Sequence, residues 1–126
     1  MNPFIICYPS VKELFPAYHE DAQEWRVSAT FFGDFKIAEK YGISAVKDTF
    51  RRAFGAWKNN AKYLTELCVA CNHLCWFWNE KDEALSALYS EYYYKCYDLM
   101  FKTDEDGKNA SPFTDDEVVM MYKVLD

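Results

Sequence analysis

Residues Ala61–Trp78, AKYLTELCVACNHLCWFW, constrain what this chain can fold into more than any other stretch. At 100° per residue, Leu64, Leu67, Cys68, Cys71, Leu74, Cys75 and Trp78 share one face of a helix. Val69, Trp76 and Phe77 lie on the far side, flanking Glu66 and His73. A helix apolar along one whole face, and near its end on the other as well, needs neighbours on both sides. The expected fold is mainly α, with this segment enclosed by two long amphipathic helices and a possible small β-hairpin making it α+β.

The flanking segments supply those helices. Ser44 can cap a helix over 44–58, in which Val46, Phe50, Ala53, Phe54 and Trp57 form one apolar stripe. Asn59 and Asn60 break the chain and offer a cap for the central helix. Asp82 is a candidate N-cap for a helix over 83–102, whose core face is Leu85, Leu88, Tyr89, Tyr92, Cys96, Leu99 and Met100. Residues 34–41 read as a short helix ended by Gly42.

Towards the N-terminus, FIICY at 4–8 is β-rich and bounded by Pro3 and Pro9. Ser10 to Glu13 matches a capping box, and Pro16 limits what it opens to one or two turns. Residues 24–32, EWRVSATFF, alternate: Trp25, Val27, Ala29 and Phe31 face one way. A strand pairing with 4–8 is preferred there over a helix beginning near Asp21. At the other end, 103–112 (TDEDGKNASP) reads as an acidic linker within a single domain of 1–126. Thr114 and Glu117 form a second capping box that opens a short helix over 114–125.

Ten Tyr, ten Phe and four Trp in 126 residues exceed what one small core can enclose, so some aromatic rings are expected at a contact surface. The net charge of −6 is uneven: 103–126 carries −5, whereas 34–62 carries +4. Such a balance disfavours generic nucleic-acid binding. Five cysteines without a signal peptide fit reduced thiols in a cytoplasm. No stretch reaches the roughly 18 apolar residues of a membrane span.

Chemistry-bearing constellations are few. Cys68, Cys71 and Cys75 with His73 resemble a ligand list, but on a helix the thiols face the core and His73 the other way. They read as small core residues, and neither a metal nor a cofactor is expected. Glu66 and His73 stand about 10 Å apart along the helix, too far for a direct hydrogen bond. Asp104-x-Asp106-Gly107 lacks the spacing and closing glutamate of a calcium loop.

Two surface features remain. Lys47, Arg51 and Lys58, extended by Lys62 and Arg52, form a row suited to an anion, although long side chains covering the edge of a hydrophobic seam are the preferred reading. Tyr94, Tyr97 and Phe101, taken with Trp76 and Phe77, form an aromatic group suited to a partner protein or to a second core layer.

Asp48-Thr-Phe-Arg-Arg-Ala-Phe54, Trp57-Lys58, Tyr63-Leu-Thr-Glu-Leu67, Asn72-His73, Trp76, Leu88-Tyr89 and the closing Asp126 together resemble a family of small helical phage- and prophage-encoded proteins that form a domain of unknown function. That resemblance implies an accessory role in phage biology, a host cytoplasm and no catalytic residues. The expected function is non-enzymatic: contact with a host protein or complex, with inhibition of a host defence system such as CRISPR-Cas as one version. The alternative is a binder or sequestering protein for an anionic small molecule such as a nucleotide, using Arg51, Lys58, Glu66 and His73. Self-association through Tyr94 and Phe101 is compatible with either.

Overall fold

A computed structural model describes residues 27–125, with side chains from residue 31 onward. Five helices follow one another: α1 (Val27–Tyr41), α2 (Ile43–Trp57), α3 (Ala61–Trp78), α4 (Glu83–Met100) and α5 (Asp115–Leu125). Among the described elements α3 alone packs against all the others. Its residues Leu64, Leu67, Cys68, Cys71 and Leu74 are fully buried, while His73 on the opposite side is exposed.

The boundaries of α3 and α4 follow from their caps. The Asn60 side chain accepts the Tyr63 N–H at 3.0 Å, and the Asp82 side chain accepts the Leu85 N–H at 3.1 Å. Each satisfies a donor that the first helical turn would otherwise leave open. At the start of α5, Thr114 and Glu117 exchange side-chain-to-backbone bonds of 3.0 and 3.1 Å, a reciprocal capping box. The start of α2 differs from expectation. Gly42, not Ser44, is the N-cap, and no side chain caps it. Gly42 alone joins α1 to α2, at φ 108°, a backbone conformation that glycine adopts without steric penalty.

Residues 27–32, expected to be part of a strand, lie in α1. Phe31, Gly33, Asp34, Phe35, Ile37 and Ala38 are all buried, so α1 is enclosed over much of its circumference. A helix covered on several sides need not show a clean 3.6-residue stripe, and a short alternation inside it mimics a strand. The expected partner strand 4–8 and the short helix after Ser10 lie outside the described residues.

Short connections join α1 to α2, α2 to α3 and α3 to α4. Cys68 lies across from Tyr93 and Cys75 from Ser86: the Cys68 thiol donates to the Tyr93 carbonyl at 3.6 Å, and the Ser86 hydroxyl to the Cys75 carbonyl at 2.9 Å. α3 and α4 are therefore antiparallel. Phe35 meets Tyr89 edge-on at 5.4 Å, and Phe50 stacks on Tyr92 at 3.9 Å, which keys α1 and α2 to α4 through its large rings. The small, buried Cys71 on α3 lies close to both Tyr89 and Tyr92 and leaves room for their rings.

The 103–112 segment closes on itself. Thr103 and Asn109 form an isolated antiparallel bridge. The Asp104 carboxylate accepts the Asp106 and Lys108 N–H groups at 2.8 and 3.0 Å. Asn109 ties the loop to α5 by donating to the Phe113 carbonyl at 2.7 Å and to Asp115 at 3.1 Å. Met121 on α5 and Phe113 before it are buried against the body.

Because Leu67 is fully enclosed, Leu67→Ala is expected to lower unfolding free energy by about 3 kcal/mol, the central range for a cavity left in a helical core. His73→Ala, on the exposed side of the same helix, is expected to change it by no more than about 0.5 kcal/mol. Urea titrations of the two variants beside the parent chain check both.

Candidate functional site

The aromatic residues singled out in the sequence fall into two separate groups. The α3–α4 register places Tyr94 opposite Leu67, so Phe77 and Tyr94 are about 15 Å apart along the bundle at 1.5 Å per residue. Trp76 (68% exposed) and Phe77 (41%) stand near the α3–α4 turn. There the Lys36 and Lys81 ammonium groups lie 4.0 and 4.1 Å from the centre of the Phe77 ring. A helical projection superimposes these residues on the far end of α4, but the rise along the axis parts them.

The second group is a continuous strip of rings. Tyr94 contacts Tyr93 at 5.1 Å, Tyr93 contacts Tyr97 at 5.8 Å, Tyr97 contacts Phe101 at 4.7 Å, and Phe101 stacks on Tyr122 of α5 at 4.0 Å. Tyr93, Tyr97 and Phe101 are half-buried, whereas Tyr94 and Tyr122 are 56% and 46% exposed. Val119, one turn before Tyr122, and Met120 are also exposed. The strip is both a layer beneath the last helix and a surface. Sequence reading missed Tyr93, Tyr122 and Val119. The i, i+4 spacing of Tyr93, Tyr97 and Phe101, and the i, i+3 spacing of Val119 and Tyr122, were the available signals.

The basic row is partly neutralised. Asp48 pairs with Arg51, and its second oxygen lies 2.9 Å from the Arg52 guanidinium. Lys47, Lys58 and Lys62 are exposed, the last on α3. Glu66 is buried and His73 exposed, so the two do not open onto a common site.

A polar knot between helices was not legible in the sequence. Glu39 of α1 accepts the Tyr89 hydroxyl at 2.6 Å and the Trp78 Nε1–H at 2.9 Å, and pairs with Lys36 at 3.0 Å. It joins α1, α3 and α4. Burial, reinforced by the Glu39 bond, pushes the Tyr89 hydroxyl far above the usual tyrosine range. Five residues earlier, Asp34 is fully buried, and neither of its oxygens has a hydrogen-bond partner among the described residues. Burial pushes its carboxyl from 3.8 up to about 7.

Cys68, Cys71 and Cys96 are buried and Cys75 half-buried, all as free thiols. Burial raises the Cys68 thiol to about 12 and those of Cys71 and Cys96 well above their usual range. Among the described residues no group of three or more His, Cys, Asp or Glu is arranged to hold a metal ion. No described helix is long and apolar enough to cross a membrane. No family model, curated protein or solved structure matches the chain.

Asp34 makes stability depend on pH. Below about pH 4 its carboxyl is protonated in both the folded and unfolded chain. Between about pH 4 and 7 only the unfolded form ionises, so unfolding gains ground as pH rises. Above pH 7 the full penalty, up to about 4 kcal/mol for three pK units, is in place. Asp34→Asn is expected to raise the urea midpoint at pH 8, leave it nearly unchanged at pH 4 and flatten the slope between them.

The thiols give a second check. In a Cys7→Ser background, Ellman's reagent is expected to reach Cys75 while Cys68, Cys71 and Cys96 stay unlabelled until denaturant is added, because the reactive thiolate is suppressed by burial.

Proposed function

We propose that this chain is a non-enzymatic docking protein that acts by covering the surface of a partner protein. The observation that carries this reading is the strip from Tyr94 to Tyr122. Its middle rings are held by the core and its end rings are exposed. Aromatic side chains fixed in this way offer large contact area with little conformational entropy left to lose on binding. They are also the residue type that dominates measured interface energies.

The resemblance to phage-encoded proteins supports a narrower version: an accessory protein that occludes a host protein, a component of a defence system such as CRISPR-Cas among the candidates, in the host cytoplasm. The alternative, sequestration of an anionic small molecule or nucleotide, draws on Lys47, Arg51, Lys58 and Lys62. The engagement of Arg51 and Arg52 by Asp48 weighs against it.

The test compares capture of proteins from host lysate by the parent chain, by Tyr94→Ser/Tyr122→Ser and by Trp76→Ser. A partner retained by the parent and by Trp76→Ser, and lost by the double variant, is the expected result. Capture unaffected by the double variant overturns the assignment to the strip.

A further inference from the structure

The charges around the strip indicate what kind of polypeptide it receives. On α4, Glu91 lies one turn before Tyr94 and Asp98 one turn after it, and both are exposed. The one cation in between, Lys95, has its ammonium group 5.1 Å from the Phe54 ring centre, drawn toward α2. Beyond Phe101 the chain adds exposed Glu105, Asp106 and Asp116. None of these five carboxylates is held in an ion pair among the described residues. Across 91–123, which includes both ends of the strip, there are eight acidic residues against four lysines, a net of −4. The exposed aromatic rings therefore sit inside a negative field.

We propose that the strip binds a basic polypeptide segment in which Arg or Lys recurs at every third position among apolar side chains. This rests on the docking reading above and adds the chemistry of the partner. An Arg guanidinium laid over Tyr94 gains from the ring's negative face while its edge meets Glu91 or Asp98. Those two carboxylates stand about 10 Å apart on the helix, the span of about three residues of extended chain. Cations three positions apart can therefore meet both while the residues between them contact Tyr94. Complementary charge of this kind selects the partner and speeds encounter. A nucleic-acid backbone meets the opposite condition, carboxylates facing phosphates.

The probe is a fluorescein-labelled twelve-residue peptide with Arg at every third position among Leu and Ser, read by anisotropy against the full chain. Its counterpart carries Glu in place of Arg. The Arg peptide is expected to bind, with affinity falling several-fold between 50 and 300 mM salt, and the Glu peptide not to bind. Tyr94→Ser/Tyr122→Ser is expected to weaken binding at least tenfold. Asp98→Asn is expected to weaken it several-fold and to reduce the salt dependence. Glu80→Gln removes the same charge near the α3–α4 turn and is expected to leave binding unchanged. Unchanged urea midpoints establish that these surface variants are folded.

Equal binding of the two peptides, equal weakening by Glu80→Gln and Asp98→Asn, or no binding of the Arg peptide overturns the proposal. If the Arg peptide fails but lysate capture still depends on Tyr94 and Tyr122, the basic-partner assignment falls alone. If both fail, the docking reading falls with it.

Discussion

Removal of the apolar face of α3 from water is the interaction on which the other helices depend. Leu64, Leu67 and Leu74 have no exposed surface, and burying a side chain of this size contributes about 2 kcal/mol. An isolated eighteen-residue segment would hold its helical form only marginally in water. Its stability comes instead from the helices stacked around it. The packing is specific because small meets large: Cys71 on α3 lies beside Tyr89 and Tyr92 on α4, and those rings meet Phe35 and Phe50 in turn. Removing α3 would leave α1, α2 and α4 only the contacts they make directly, such as Phe35 on Tyr89 and Phe50 on Tyr92, and would expose the faces they turn toward α3.

Two carboxylates on α1 show how that apolar interior treats charge. Glu39 meets a hydroxyl, an indole N–H and an ammonium group, and these replace the water lost on burial. The knot orients α1 against both α3 and α4, which nonspecific apolar contact would leave free to slide. Asp34 has no such partners among the described residues and meets the low dielectric by holding its proton instead. One carboxylate fixes geometry, and the other makes the fold less stable as it ionises.

The parts of the fold that could be read in the sequence are those where local chemistry and periodicity agree. Asn60 and Asp82 mark helix starts that the structure places at the same residues, and the stripe of Val46, Phe50 and Ala53 points to the core as its spacing requires. Residues 27–32 misled because a short alternation inside a helix has the same pattern as a strand. Ser44 misled because a cap rule favours hydroxyls, whereas a one-residue turn between two helices requires the backbone freedom of Gly42. Asp48 stands three and four residues before Arg51 and Arg52, so that neutralisation was visible in the spacing. The grouping of Trp76 and Phe77 with Tyr94 failed for a geometric reason: a helical projection keeps angle and discards height. The Glu39 knot joins residues thirty-nine and fifty positions apart, and no local pattern encodes it.

The contrast between the two aromatic groups decides which is better built for contact. Near the α3–α4 turn, Phe77 is flanked by Lys36 and Lys81, so its ring already has cationic company. A partner would have to displace those ammonium groups or bring its own negative charge. The end rings of the strip, Tyr94 and Tyr122, are exposed with no cation over them among the described residues; the strip is braced from beneath by half-buried neighbours and spans two helices joined by a closed loop. A surface braced in this way keeps its shape when a partner arrives. The binding free energy then goes into contact and not into ordering the site.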